Sequence, residues 1–93
     1  MKGWTFIDNH GLVLLYISQN PRCTTRQMAA AVNVTERTIR RILDDLSAEE
    51  YITWERTGKS NVYNINTERE LKHTLTRDVK VQELLELLGG IIK

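Results

Sequence analysis

The segment Thr24–Leu46 constrains the fold of this chain more strongly than any other stretch. Thr24 and Gln27 have the spacing of a capping box, in which the side chain of each residue accepts a hydrogen bond from the backbone N–H of the other. Asn33 marks the end of the helix that this box begins, because asparagine tolerates the left-handed backbone conformation that ends helices. The segment therefore predicts a short helix over Thr25–Val32, a tight turn, and a second helix.

The second helix has two chemically different sides. It is predicted to begin after the cap residue Thr35 and to run to about Glu49. One side is apolar, because its residues recur at the i, i+3, i+4, i+7 spacing of a helix face. These residues are Ile39, Ile42, Leu43 and Leu46. At about 100° per residue, Arg37, Arg41 and Asp44 fall on the opposite side, and Arg40 flanks them. The pattern predicts a helix with one buried face and one cationic face.

A β-hairpin is predicted directly after this helix. Successive side chains alternate in side along Ile52–Arg56 and again along Asn61–Ile65, which is the period of a β-strand. The intervening turn, Thr57–Ser60, contains a glycine, as short hairpin loops commonly do. The tip of this hairpin carries four polar side chains: Arg56, Lys59, Ser60 and Asn61.

A further helix is predicted ahead of these elements, over about His10–Gln19. Asp8 or Asn9 can cap its first turn, and Asn20-Pro21 ends it, because the residue before proline avoids the helical conformation. Its residues Leu12–Ile17 are apolar nearly all round, which is typical of a helix buried on most sides. The predicted fold class is mainly α with a small β-hairpin. Three core helices, a two-stranded wing and a C-terminal helix make the winged helix-turn-helix arrangement.

The leucine-rich C-terminal stretch allows two interpretations. Asp78 is predicted to cap a final helix that runs to Leu88, with one apolar stripe: Val81, Leu84, Leu85 and Leu88. This stripe either covers the core of its own domain or pairs with a second subunit. A chain of 93 residues has a thin core, which favours the dimer, and Trp4 and Phe6 are expected to join that interface. The chain is then one domain over 1–93, with a core over about 8–66 and a dimerisation segment over 67–93.

Composition narrows the function classes. The net charge is +1, so affinity for an anionic partner depends on where the charges lie rather than on their sum. The apolar runs are shorter than the roughly 18 residues of a membrane span, and the first residues lack the pattern of a signal peptide. A single cysteine cannot form an intramolecular disulfide. These features predict a reduced, cytoplasmic protein without a membrane partner.

Catalytic and metal sites are not predicted. His10 and His73 are lone histidines without a convergent set of Cys, Asp or Glu, and the common nucleophile and phosphate-loop motifs do not occur in the sequence. The sequence therefore predicts no enzyme activity, no metal and no cofactor. Cys23 lies beside Arg22 just ahead of a helix start, where a lowered thiol pKa would suit a redox sensor. The alternative, a small and partly buried filler, is favoured.

The region Thr24–Asn66 resembles the winged helix-turn-helix of bacterial and archaeal transcription regulators of the MarR and ArsR type. The matching elements are the capped TTRQMAAAVNV, the recognition segment VTERTIRRILDDL, the YI step into the wing, and RTGKSNVYNIN. From WTFIDNHGLVLLYI onward the chain is also similar to a small single-domain MarR-like group with an LLELLG-type tail. The resemblance implies a homodimeric transcription regulator, expected to be a repressor, on a near-palindromic site in duplex DNA.

The resemblance also implies which residues contact DNA, with the second helix of the motif in the major groove and the wing tip on the adjacent minor groove or backbone. On the helix these are Thr35, Glu36, Arg37, Thr38, Arg40 and Arg41. On the wing they are Arg56, Lys59 and Asn61. Arginine suits either role, because its forked donors meet phosphate and also O6 and N7 of guanine. Arg26, early in the preceding helix, can brace the DNA backbone beside them.

The chain departs from these relatives in two positions. Many of them have glycine before the YI step, where this chain has Glu50, so a left-handed backbone there would be strained by about 1 kcal/mol. The metal-sensing ArsR branch has paired cysteines in the recognition region, and their absence here leaves that mechanism unsupported. MarR-like relatives often hold an inducer between the DNA-binding lobes and the dimer helices. This chain has little material for such a pocket, so no small-molecule effector is expected.

The same residues allow alternatives to DNA binding. Acidic residues four positions after two of the arginines can neutralise the cationic face, through the pairs Arg40–Asp44 and Arg41–Asp45. The face would then be merely solvated, or the winged helix would be a protein-interaction module, which the low net charge also fits. A mobility shift with random duplex DNA separates these alternatives from DNA binding.

Overall fold

The computed structural model of the chain describes residues 7–71 and 78–88. Within these ranges the helices are α1 (Asn9–Gln19), α2 (Thr25–Val32), α3 (Glu36–Ala48) and α4 (Val81–Leu87), and the strands are β1 (Arg22–Cys23), β2 (Ile52–Thr57) and β3 (Ser60–Ile65). Helices α1, α2 and α3 pack against one another, and β2 and β3 form a hairpin, the wing, beside them. The winged helix-turn-helix architecture predicted from the sequence is confirmed.

Local signals in the sequence set the helix ends. Asp8 caps α1 with its carboxylate, which accepts a hydrogen bond of 3.0 Å from a backbone N–H of the first turn. Both bonds of the capping box form at the start of α2, at 2.9 Å and 3.0 Å, between Thr24 and Gln27. The hydroxyl of Thr35 caps α3 by accepting a hydrogen bond of 3.1 Å from the backbone N–H of Thr38. Asn33 has the expected left-handed backbone, with φ of 67°. The predicted turn between α2 and α3 is thus confirmed.

The wing belongs to a three-stranded antiparallel sheet in the order β1-β3-β2, rather than to the two-stranded hairpin expected from the sequence. The two residues of β1 lie opposite Val62 and Asn61 of β3. A strand of two residues is too short for an alternating pattern to reveal it in the sequence. The backbone N–H of Tyr63 also donates to the carbonyl of Pro21 at 2.8 Å, which joins the base of the wing to the segment before α2.

The core lies between the first three helices and the inner side of the sheet. The apolar side of α3 is buried, as its spacing predicts, and α1 contributes side chains from Val13, Leu14 and Ile17. Tyr51, Ile52 and Tyr63 close the core from the side of the sheet. Among the described residues no charged side chain is buried, so every charge there is available at the surface. None of the described helices has the length and apolar character needed to cross a membrane.

The C-terminal helix begins later than the sequence suggests. Helix α4 starts at Val81, and its cap residue is Lys80, whose backbone N–H donates to the carboxylate of Glu83 at 2.8 Å. The prediction that Asp78 caps this helix is wrong. A β-bridge between Glu70 and Lys80 holds the backbone extended up to the residue before α4.

Helix α4 covers the core of its own chain. Val81 and Leu85 are 0% and 1% exposed, in the same cluster as the apolar side chains of α1 and α3. Their position does not fit the prediction that these two side chains pair with a second subunit, because one chain already encloses them. Of the two interpretations of the C-terminal stretch, the lid over the core describes this side of α4.

One strip on the surface of α4 is apolar, beside the exposed Glu83 and Glu86. Leu84 and Leu88 are half-buried, and Leu87 is 85% exposed. Trp4 and Phe6, the other residues predicted for a dimer interface, lie outside the described residues. Leu84 and Leu88 are therefore the predicted interface residues that the structure leaves partly accessible.

Glu50 has a left-handed backbone, with φ of 66°. The turn after α3 uses this conformation. The N–H of Glu50 donates to the carbonyl of Ser47 at 3.0 Å, and the N–H of Tyr51 donates to that of Leu46 at 2.9 Å. A non-glycine residue in this conformation is strained by about 1–2 kcal/mol. The left-handed backbone considered for this position from the sequence is thus confirmed.

Replacing Glu50 with glycine is expected to raise the free energy of unfolding by about 0.5–1 kcal/mol, as measured by chemical denaturation. Glycine removes the steric cost but loses more backbone entropy on folding, so the gain is smaller than the strain itself. Asn33→Gly is the matched control. Asn33 has nearly the same φ, yet asparagine tolerates it, and a smaller gain is expected. Equal gains at the two positions would contradict the assignment of strain to Glu50.

Candidate nucleic-acid interface

Helix α3 presents a cationic face to solvent. Because its apolar residues lie in the core, the arginines on the other side remain exposed: Arg37, Arg40 and Arg41. Arg26, on the neighbouring helix α2, is exposed as well. The two-sided helix predicted from the sequence is confirmed.

The two ion pairs expected between the arginines of α3 and the aspartates four residues later are not formed among the described residues. The i, i+4 spacing suggests pairs with two aspartates, but Arg40 instead pairs with Glu36, with 3.5 Å between Nη2 and Oε1. Asp45 pairs with a histidine of α1. Within residues 7–71 and 78–88 no ion pair involves Arg37 or Arg41. Their charges are therefore open to an anionic partner.

Glu36 links α3 to the start of α2. Its Oε1 accepts a hydrogen bond of 3.1 Å from the hydroxyl of Thr25, in addition to its contact with Arg40. The carboxylate is thus engaged within the protein, and its charge would repel a phosphate. This geometry favours a positioning role for Glu36, in which it holds the guanidinium of Arg40, over the direct DNA contact that the resemblance implies.

Thr35 and Thr38 form the first turn of α3. The Thr35 hydroxyl accepts a hydrogen bond from the backbone N–H of Thr38 and donates to the Thr38 hydroxyl at 3.0 Å. The Thr38 hydroxyl keeps its own proton for a further acceptor, such as a phosphate oxygen. Of these two residues, Thr38 is the one whose hydroxyl can still donate a hydrogen bond to DNA.

A groove of about 460 Å³ separates α3 from the wing, and we call it the helix–wing groove. Its lining combines cations, polar side chains and two apolar residues: Thr24, Thr25, Arg40, Leu43, Trp54, Arg56, Lys59 and Asn61. Four residues predicted to contact DNA thus lie around one cavity, with Arg40 on the helix and the other three on the wing. Arg26, Arg37 and Arg41 are not among the lining residues and lie on the open helical surface.

The groove also contains residues that the sequence did not single out as functional, above all Trp54. The alternating pattern of β2 places Trp54 on the same side as Ile52 and Arg56. The pattern does not show, however, that this side of the strand faces the core at one end and an open groove at the other. Ile52 is buried at one end of β2, whereas Arg56 is exposed near the other.

The tip of the wing is open. Gly58 has φ of 63°, a conformation that suits glycine, and no other atom lies within 4 Å of the position of a β-carbon there. Lys59 is exposed beside it. Arg56 lies opposite Asn61 across the hairpin, and the side-chain amide of Asn61 donates to the hydroxyl of Tyr63 at 3.0 Å. The amide of Asn61 is thus held by the sheet, while Arg56 and Lys59 extend from it.

Cys23 belongs to β1 and is 2% exposed, and burial raises the pKa of its thiol. Both features oppose a redox sensor, which needs an accessible thiolate. The native protein is expected to react with a disulfide reagent at mildly alkaline pH far more slowly than the protein in denaturant. Absorbance of the released chromophore measures both rates. Equal rates would contradict the role of Cys23 as a buried filler.

His10 makes a structural contact between α1 and α3. Its Nε2 lies 2.8 Å from Oδ2 of Asp45, and its Nδ1 lies 4.0 Å from Oδ2 of Asp8. In the part of the chain that the structure describes, no three His, Cys, Asp or Glu side chains are grouped so that they could hold a metal ion. The second histidine, His73, lies outside the described residues.

Comparison with known families supports the interpretation of the fold. Residues 8–53 match the family model of winged helix-turn-helix DNA-binding domains. The matched segment runs from the cap of α1 into β2 and contains the whole of α3. No curated protein shows a significant match to the chain. The chain has the winged helix-turn-helix fold, and its residues 8–53 are similar to domains of that fold that bind DNA.

Proposed function

We propose that this protein is a transcription regulator that binds duplex DNA, with α3 in the major groove and the wing along the adjacent backbone and minor groove. The observation that carries the proposal is the open cationic surface of α3, where Arg37 and Arg41 have no ion pair among the described residues. This surface adjoins the helix–wing groove, to which Arg40, Arg56 and Lys59 contribute three further cations.

The chemistry of these groups fits duplex DNA. The major groove is about 12 Å wide and admits an α-helix, so side chains on its outer face reach the base edges. An arginine there donates two hydrogen bonds to guanine, and an arginine or lysine at the rim neutralises a phosphate. We assign Arg37 and Arg41 to the major groove, and Arg56 and Lys59 to the backbone. Thr38 and Arg26 are expected to contact flanking phosphates.

We further propose that the active form is a homodimer that acts as a repressor. The support is the apolar strip on α4, where Leu84, Leu87 and Leu88 follow the i, i+3, i+4 spacing of one helix face. A twofold axis there would place two α3 helices about 34 Å apart, one turn of DNA. Repression, by occupying a promoter, follows the resemblance to MarR-like regulators.

Selection of bound sequences from a random duplex pool tests the proposal. A palindromic consensus with half-sites one turn apart, together with a dimer mass in sedimentation equilibrium, is the expected result. A single half-site with a monomer mass would retain DNA binding and overturn the dimer. No shift of random duplex by micromolar protein at low salt would overturn DNA binding and favour a protein-interaction module.

A further inference from the structure

Trp54 is an unusual residue for the middle of a wing strand. It is 45% exposed, and Trp54 and Leu87 are the exposed large hydrophobic side chains in the described part of the chain. Its ring packs against that of Tyr63, directly opposite on β3, with 6.0 Å between centroids and 37° between planes. Tyr63 is itself buried and already closes the core. The outer part of the indole therefore adds little to the core and faces the groove.

Trp54 lies in a groove that has both an apolar part and positive charges. In the helix–wing groove it lies with Leu43 of α3, and these two residues give the cavity an apolar part. Arg40 contributes a cation from the helix, and Arg56 and Lys59 contribute cations from the wing. An apolar surface thus lies between positive charges that belong to separate elements.

A nucleic-acid strand has the complementary pattern, because anionic phosphates alternate with deoxyribose rings that are largely apolar. A strand that follows the groove can place phosphates on the two sets of cations and the intervening sugar on the indole. We propose that Trp54 packs against a deoxyribose of the DNA strand that passes between α3 and the wing. It is a positioning residue that sets the depth of the backbone in the groove. This inference rests on the proposed binding of duplex DNA.

Removal of the indole is the first test. Trp54→Ala is expected to weaken binding to a selected duplex by about 5- to 30-fold, since the buried apolar area is lost. Trp54→Phe, which keeps an aromatic surface, is expected to stay within about 3-fold of the parent. The slope of log K against log salt should not change, because no charge is lost. Lys59→Ala, in contrast, is expected to reduce that slope by about 1.

Fluorescence provides the second test. The chain has two tryptophans, so the background Trp4→Phe leaves Trp54 as the only reporter. Saturation with selected duplex is expected to change the emission of Trp54 and to protect it from quenching by acrylamide. Thr53→Ala, at an exposed neighbour on the opposite side of β2 that does not line the groove, is the control for a general change in the wing and should bind like the parent.

The outcomes separate this inference from the proposed function. Suppose that duplex leaves the emission and the quenching of Trp54 unchanged in the Trp4→Phe background, and that Trp54→Ala binds as tightly as the parent. Trp54 then only stiffens the wing, and the inference is wrong. If the variant loses thermal stability and the salt slope changes with it, the loss reflects a displaced wing, which also overturns the inference. Tighter binding of single-stranded DNA than of duplex would indicate base stacking instead of sugar packing. Failure of the parent to bind duplex overturns the proposed function itself.

Discussion

A variant with alanine at both Arg37 and Arg41 is expected to bind duplex DNA at least about 30-fold more weakly than the parent protein, because each arginine contributes about 1–3 kcal/mol when it meets a base edge. These two side chains are exposed on the outer side of α3 and have no ion pair within the described residues. Their removal leaves the core untouched, so the loss should appear in binding rather than in stability. Fluorescence anisotropy with a labelled duplex measures the affinity.

The dependence of binding on salt identifies the cause of that loss. Each phosphate contact contributes close to one unit to the slope of log K against log salt, whereas a base contact does not. A slope reduced by about 2 would place both arginines on phosphates, and an unchanged slope with relaxed sequence preference would place both on bases.

A charge-matched variant controls for the change in net charge. Lys80→Glu lowers the net charge by the same amount but lies at the start of α4, where Lys80 pairs with Glu68 at 2.8 Å. It is expected to bind DNA nearly as the parent does. If the double variant and Lys80→Glu lose affinity equally, the cationic face of α3 is not the binding surface.

The largest expected effect on stability is at Leu85. Leu85→Ala is expected to lower the free energy of unfolding by about 2–5 kcal/mol, because it removes a side chain that is 1% exposed and leaves a cavity in the hydrophobic core. Urea denaturation followed by circular dichroism measures the loss. For a domain of this size such a loss approaches the total stability, so low temperature is the appropriate condition.

Leu87→Ala is the matched control, since it makes the same chemical change two residues away, at a side chain that is 85% exposed. It is expected to change the unfolding free energy of the single chain by less than about 0.5 kcal/mol. If α4 pairs with a second subunit, however, Leu87→Ala should lower the fraction of dimer seen in sedimentation. Leu85→Ala should lower the free energy of unfolding at every protein concentration. A small effect at Leu85 would contradict the assignment of α4 as a lid over its own core.

The parts of the fold that the sequence predicted depend on local chemistry. The box between Thr24 and Gln27 needs only residues three apart, and the left-handed Asn33 needs only its own side chain. The two faces of α3 follow from helical periodicity, because its apolar stripe is complete over several turns. The exposure of Arg37 and Arg41 follows from the same geometry. Local and periodic signals of this kind are readable from one sequence.

The parts that the sequence did not predict depend on contacts between distant residues. Strand β1 exists because it meets β3 about forty residues later, at Asn61 and Val62. The helix–wing groove forms for a similar reason, since Trp54 approaches Leu43 only after the chain turns at Glu50. Helix α4 shows the same limit. Its stripe was evident, but which leucines face inward depends on where the helix docks.

The bond between Tyr63 and Pro21, with the short pairing of β1 and β3, has a mechanical consequence. It fastens the base of the wing to the chain just before α2, and the hydroxyl of Thr25 at the start of α2 donates in turn to Glu36 of α3. These contacts are expected to fix the spacing between the base of the hairpin and α3. If the protein binds duplex DNA as proposed, a site whose grooves do not match that spacing must bend, at an energetic cost that depends on its sequence. Part of this protein's selectivity would then arise at base pairs that it never touches.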